Sequence, residues 1–80
     1  MNYGSVIAPA ADAFPITPSN TTYLRATALY VGTGGDVAVV TEANSTVTFA
    51  NVPDGSVLPV RVKQVRSTGT TASDILGLRG

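Results

Sequence analysis

Large apolar residues alternate with polar or small residues on both sides of a turn in the middle of the chain, within residues 45–66. Before the turn, Val47 and Phe49 share one side and two threonines the other. After the turn, every second residue is apolar again, at Leu58, Val60 and Val62. A period of two is typical of a strand with one buried face. The pattern predicts two strands joined as a hairpin, with these five apolar residues facing inward.

The turn between the two strands occupies residues 51–55 and contains Pro53 and Gly55. Proline presets its own backbone φ, and glycine accepts a positive φ without steric cost. Residues 25–31, 36–41 and 74–78 show further short strand patterns, with Leu29 and Val31 facing together in the first, and no segment has helical periodicity. Residues 42–44 are predicted to turn the chain into the central hairpin. Short strands at this spacing predict an all-β fold, a small β-sandwich or barrel with about five to six short antiparallel strands.

The glycine-rich segment 32–35 (GTGG) has two possible interpretations. A phosphate-binding loop requires a following helix N-terminus and usually a lysine. Here an aspartate and a strand pattern follow. The segment is therefore predicted to be a turn between antiparallel strands.

The first 24 residues differ from the rest, because they contain three of the five prolines together with isolated apolar residues. Proline removes backbone donors and biases its predecessor toward extended geometry, so neither a helix nor a central strand is expected here. A frayed terminus is the simpler alternative. We predict an extended N-terminal arm and lead-in loop at residues 1–24 and a β-domain at residues 25–80. The apolar arm residues expected to contact a partner are Tyr3, Val6, Ile7, Phe14 and Ile16.

The length of 80 residues limits the size of the core. A domain of this size buries only roughly 60% of the surface that its unfolded chain exposes. The chain has no cysteine and no histidine, so neither a disulfide nor a closed zinc site is expected to stabilise it. Association with other chains is the remaining common solution for so small a fold. The sequence therefore predicts a protein that needs partners.

The charge and hydropathy of the chain exclude several classes of partner. Five basic and five acidic residues are scattered along it, without the basic stripe that nucleic-acid binding requires. No apolar run reaches the length of a membrane span, and no signal peptide is evident. The lack of cysteine is compatible with assembly in a reducing cytoplasm. Neither nucleic acid nor a membrane is expected as a partner.

Catalytic chemistry is not expected either, since nucleophilic triads cannot be built without histidine or cysteine. Paired-acid catalysis needs two carboxylates at a defined separation in a cleft. No motif brings two of the acidic residues together; these are Asp12, Asp36, Glu42, Asp54 and Asp74. We therefore predict that the protein is not an enzyme and needs no cofactor or metal ion.

Two basic residues, Arg61 and Lys63, share the outward side of the strand after the turn. The simpler interpretation is a solvated surface, as for most basic residues on strands. The alternative is a basic face that contacts an acidic neighbouring subunit, since interfaces are enriched in arginine.

Several blocks of the sequence occur in an order that resembles the small spike-base proteins from the heads of tailed bacteriophages and of gene transfer agents, a family of capsid decoration proteins. The blocks are residues 16–22 (ITPSNTT), 25–36 (RATALYVGTGGD), 46–55 (TVTFANVPDG), 58–62 (LPVRV) and 68–72 (TGTTA). The resemblance spans residues 16–78. Nothing in residues 1–13 contributes to it.

The resemblance implies a structural virion protein on the outer surface of an icosahedral capsid, made in the cytoplasm of a bacterial host. It would act as a spike base at the vertices or as a cement (decoration) protein that stabilises the shell. The implied partners are the major capsid protein, other copies of this chain in a homo-oligomer (a trimer or pentamer), and a head fibre protein. The alternative is a module of a phage particle that binds a host-surface glycan or receptor. Such modules usually present aromatic platforms, and only three tyrosines are available here.

Overall fold

The computed structural model describes residues 10–80, which form two antiparallel sheets packed as a sandwich. The seven strands are β1 (Asp12–Ile16), β2 (Ala28–Thr33), β3 (Gly35–Thr41), β4 (Thr46–Val52), β5 (Ser56–Leu58), β6 (Val62–Val65) and β7 (Ser73–Arg79). A four-stranded sheet has the order β1-β7-β2-β5, and a three-stranded sheet has the order β4-β3-β6. The predicted all-β class is confirmed, with seven strands instead of five to six.

The hydrophobic core lies between the two sheets. The four-stranded sheet contributes Ile16, Leu29, Val31 and Ile75, and the three-stranded sheet contributes Val37, Val39, Val52, Val62 and Val65. In β2 and β3 the core residues are two apart, at Leu29 and Val31 and at Val37 and Val39, because successive side chains of a strand point to opposite faces. The predicted pairing of Leu29 and Val31 on one face is confirmed, since both are fully buried.

Strands β3 and β4 form a hairpin around the turn at residues 42–44. The Asn44 N–H donates to the Thr41 carbonyl at 2.9 Å, and the Thr41 N–H donates to the Ser45 carbonyl at 2.8 Å. Asn44 has φ 68°, a left-handed conformation that asparagine tolerates better than most residues do. The predicted turn at this position is therefore the true hairpin turn of the molecule.

The hairpin predicted across residues 51–55 is wrong. β4 pairs with β3, whereas β5 pairs with β2 in the other sheet and β6 pairs with β3. The turn carries the chain from one sheet to the other, with Asn51 at φ 57° and Gly55 at φ 75°. The Gly55 N–H donates to the Val31 carbonyl at 2.7 Å, which holds the turn against β2. Alternation specifies which side of a strand is buried, but it does not specify the neighbouring strand.

The glycine-rich segment 32–35 also crosses between the sheets, since β2 and β3 belong to different sheets. It is not the antiparallel turn that the sequence predicted. A side chain has no room at Gly35, where a Cβ would lie 2.7 Å from the Thr71 Oγ1 and 2.8 Å from the Ala72 nitrogen. The nearby Gly34 N–H donates to Asp54 Oδ1 at 2.6 Å, which ties this crossing to the turn at residues 51–55.

Burial along β4 is lower than the alternation predicted. Val47 and Phe49 do face the core side, opposite Val39 and Val37 of β3. However, Val47 is 40% exposed and Phe49 is only half-buried against the core. The reason is that β4 is an edge strand, so these side chains are covered from one direction only.

The described part of the predicted arm and lead-in loop is joined to the β-domain. Residues 12–16 form β1 at the edge of the four-stranded sheet, paired with β7. The chain then runs along β6: the Ser19 N–H donates to the Val65 carbonyl, and the Leu24 N–H to the Lys63 carbonyl, both at 2.8 Å. The predicted arm contacts Tyr3, Val6 and Ile7 lie outside the described residues.

Candidate interaction surfaces

The outer face of the four-stranded sheet is apolar across all four strands. One row across the strands joins Ala13, Leu78 and Ala28, and the next joins Pro15, Leu76, Tyr30 and Val57. We call these seven residues the apolar face. Neither row contains a charged residue.

The apolar face is accessible at its margins and half-buried at its centre. Val57 is 54% exposed at one margin, while Tyr30 and Leu76 are partly buried beside each other in the middle. An antiparallel sheet with one solvated face normally carries polar residues on that face. A contiguous apolar patch on a small protein marks an interaction surface.

Sequence reasoning missed this face, although a signal was present. In β7 the run Ile75-Leu76-Gly77-Leu78 is continuously apolar, where a strand with one wet face should alternate. The same holds for Ala28–Val31 in β2. Continuous apolar strands indicate coverage on both faces, and the core covers only one of them.

The outer face of the three-stranded sheet is different, because it is polar or covered by the chain itself. The loop after β6 folds over Ala38: the Ala38 N–H donates to Thr70 Oγ1 at 2.9 Å, and the Arg66 N–H donates to the Ala38 carbonyl at 2.8 Å. Ala38 is therefore buried on the outer side of its strand. The asymmetry between the two sheets identifies the apolar face as the larger uncovered apolar surface of the described chain.

The structure brings the two residues of the predicted basic face to the turn at residues 42–44. Arg61 Nη1 lies 4.0 Å from Glu42 Oε1, with both side chains largely exposed. Lys63 Nζ donates to Asn44 Oδ1. An exposed ion pair of this kind contributes little to stability. Glu42 offsets part of the local positive charge, and the contact of this face with a partner stays a prediction.

Phe14 and Ile16, the two described residues of the predicted arm contact, pack within the domain. Ile16 is 8% exposed and belongs to the core. The Phe14 ring lies over Gly77, where an added Cβ would be 2.7 Å from Cε2 and 2.9 Å from Cε1. The Arg79 guanidinium lies 4.4 Å from the Phe14 ring centroid and 3.1 Å from Asp12 Oδ2. A contact of Phe14 with a partner also stays a prediction, and it would use the exposed part of the ring.

Within residues 10–80, no three acidic, histidine or cysteine side chains are grouped so as to hold a metal ion. The same part of the chain contains no helix long and apolar enough to cross a membrane.

Comparison with known proteins gives one informative match. No protein-family model matches the sequence, and no curated protein matches it significantly. Among solved structures, the chain is 43% identical to a chain of the capsid of the native GTA (gene transfer agent) particle, computed with C5 symmetry. The two structures superpose with a TM-score of 0.81, and the match covers 90% of this chain and 86% of the other.

Proposed function

Because this chain belongs to the same family as the gene transfer agent capsid chain that it matches, we propose that it is a structural protein of a phage-type particle. It binds the outer surface of the capsid and serves there as a spike base or a cement protein. The observation that supports this role is the apolar face, which is contiguous, free of charge and not covered by the described part of the chain. The chain is 43% identical, over 90% of its length, to a gene transfer agent capsid chain. This identity supports the capsid as the partner that covers the apolar face.

The area of the apolar face sets the strength of its contact. Four strands about 4.8 Å apart and two rows of side chains span on the order of 250 Å². Complete coverage would contribute roughly 6 kcal/mol at about 25 cal/mol per Å². Association costs an estimated 4–15 kcal/mol. One copy would therefore bind weakly on this face alone.

Repetition strengthens such a contact. Several linked copies bind through effective concentration, so each additional apolar face adds to the attachment without a new association cost of the same size. The magnitude favours a homo-oligomer, a trimer or pentamer, attached to several copies of the major capsid protein. The basic face at Arg61 and Lys63 would contribute charged contacts to an acidic capsid surface, and a head fibre protein would occupy the outward side of a spike base.

A matched pair of tyrosine variants tests the attachment surface. Tyr30→Glu places a carboxylate in the middle of the apolar face, and Tyr23→Glu places the same group at a position that is 70% exposed in the lead-in loop. We expect Tyr30→Glu to reduce co-sedimentation with capsids that lack the chain, and Tyr23→Glu to leave it unchanged. Val57→Glu is a second variant with the lower risk to folding. Wild-type co-sedimentation of folded Tyr30→Glu and Val57→Glu proteins would contradict the proposal.

Two further measurements separate the finer roles. Quantitative mass spectrometry of purified particles gives the copy number, which is small for a vertex spike base and close to that of the major capsid protein for a cement protein. Charge reversal at both Arg61 and Lys63, followed by co-sedimentation, tests the basic face. Unchanged attachment to the capsid would show that Arg61 and Lys63 form a solvated surface and make no partner contact.

A further inference from the structure

The sandwich has four edge strands, and three of them carry features that prevent pairing with another chain. β1 has Pro15 in its middle, and β5 is only three residues long. β6 is covered by the lead-in loop, whose residue Ala26 bridges to Val62. Short strands, proline and covering loops are the usual protections of a sheet edge.

The fourth edge strand, β4, has none of these three protections, and its one irregularity, a shift of register with β3 at residues 50–51, lies beyond Thr46–Phe49. It is seven residues long, TVTFANV, with neither a charge nor a proline. Among residues 10–80, β3 is its sole strand partner. Long, uncharged, β-branched edge strands are templates for an added strand.

The backbone bonding pattern shows which groups of β4 are free. The Ala38 carbonyl accepts from the Arg66 N–H, so the backbone of Ala38 faces β6 and not β4. Because hydrogen-bonded and non-bonded pairs alternate in an antiparallel ladder, Thr48, opposite Ala38, must direct its N–H and C=O away from β3. By the same alternation, Thr46 also directs its N–H and C=O outward, whereas beyond Phe49 the register with β3 shifts and the alternation ends. From Thr46 to Phe49, the free side of β4 thus offers regularly spaced donors and acceptors.

The described chain begins at Ala10, just before β1, on the opposite side of the domain from β4. The turn at residues 53–55 joins β4 to β5, which places these two edges together at one side of the sandwich. The lead-in loop joins β1 to the edge of β6, which places those two edges together at the other side. Residues 1–9 precede β1 and therefore begin at the second side. A contact that joins one side of a copy to the opposite side of the next copy is a heterologous interface. Such interfaces form a closed ring when the rotation between neighbouring subunits divides a full turn evenly.

We propose that the free edge of β4 receives residues 1–9 of a second copy as an added strand. This segment contains no charged residue and includes Val6 and Ile7, which suits an uncharged edge. Nine extended residues reach about 30 Å. To reach β4 of its own copy, the segment would first have to cross roughly 14 Å, three strand spacings, which consumes about half of that reach. A neighbouring copy that presents its β4 directly to β1 allows residues 1–8, which precede Pro9, to pair.

This inference rests on the proposed function in one respect, because it requires several copies of the chain to assemble. The surface that joins two copies is the free edge of β4. Since the chain has no cysteine, engineered pairs can report on the contact directly. One population carries Ser5→Cys, and a second, distinguished by a size tag, carries Thr46→Cys. The two are mixed as purified full-length chains and oxidised. We expect a disulfide between Ser5→Cys of one copy and Thr46→Cys of the other as the main product on a non-reducing gel.

The control uses the backbone of β4. Thr48→Pro removes the central outward N–H while leaving the bonds between β4 and β3 intact, whereas Thr48→Ala keeps that N–H. In the Thr46→Cys partner, Thr48→Pro should reduce the mixed disulfide by about tenfold or more, a factor equivalent to about 1.4 kcal/mol of binding free energy. Thr48→Ala should leave it near wild type. If Thr48→Pro disturbs folding, Thr48→Lys, which places a charge on the edge, replaces it.

The other outcomes overturn the proposal. Disulfides mainly between two Thr46→Cys copies would show that β4 pairs with itself. Closure within a single chain that carries both cysteines, without the mixed product, would show that the segment stays on its own copy. Absence of any product in a mixture whose chains still co-sediment with capsids would show that β4 has no role in assembly. That last result leaves the proposed function standing, so the two proposals fail separately.

Discussion

Truncation of Leu29 to alanine is expected to destabilise the fold more than truncation of Phe49, although Phe49 is the larger residue. Leu29 is 0% exposed, and on its own sheet it lies between Leu58 of β5 and Gly77 of β7. Truncation of a fully buried leucine leaves a cavity in the core, and the cost rises with the volume of the cavity that remains after the neighbours relax.

The magnitudes follow from burial. A buried leucine truncated to alanine costs about 2–5 kcal/mol, and we expect the upper half of that range for Leu29→Ala. Full burial of phenylalanine corresponds to about 3–5 kcal/mol, so half-buried Phe49 should cost roughly 2 kcal/mol. At 0.05–0.15 kcal/mol per residue, the whole domain has a free energy of unfolding of about 4–12 kcal/mol. Leu29→Ala therefore removes a large share of the total.

Thermal denaturation followed by far-ultraviolet circular dichroism measures both variants in the same buffer and at the same protein concentration. The melting temperature should fall by about 4–8 °C for each kcal/mol in a domain of this size, so Leu29→Ala should melt roughly 14–40 °C below the wild type. The melting temperature of Phe49→Ala should fall by about half as much as that of Leu29→Ala. A larger loss for Phe49→Ala than for Leu29→Ala would refute the placement of β4 at an edge with its side chains partly solvated.

Three further predictions concern contacts seen only in the tertiary structure. Gln64 is 2% exposed, and its Nε2 has no hydrogen-bond partner among the described residues. Because an unsatisfied buried donor is costly, Gln64→Met should raise the melting temperature. A lower melting temperature would mean that a bound water satisfies the Nε2 group. Asn20 Oδ1 accepts hydrogen bonds from the N–H groups of Ser67 and Thr68 at 3.1 and 3.2 Å. Asn20→Ala should therefore speed hydrogen exchange at both amides. Asn20→Asp keeps the acceptor oxygen and should leave the exchange rates unchanged. Gly77→Ala should displace the Phe14 ring and lower the free energy of unfolding by about 1–3 kcal/mol. Urea denaturation measures this loss, which should be smaller when Gly77→Ala is made in a Phe14→Ala background.

The strand periods and turn residues were sufficient to predict the class of the fold. Alternation placed Leu29 and Val31 on one face, which is buried, and the sequence predicted the turn at residues 42–44. These features are local: a period of two and a residue that tolerates positive φ act within a few positions of the chain. The same local information suggested the hairpin across residues 51–55, and there it was wrong, because strand neighbours depend on contacts between distant segments.

The candidate surfaces depended even more on the tertiary structure. The sequence singled out Phe14 and Ile16 as arm residues, but only pairing with β7 shows that both are held within the domain. The apolar face is assembled from four strands that are far apart in the chain, and the free edge of β4 exists only because β5 joins the other sheet. By itself, the sequence determined which residues are apolar and where the chain turns. Only the tertiary structure decided which apolar residues remain uncovered, since coverage comes from packing between elements that no local pattern connects.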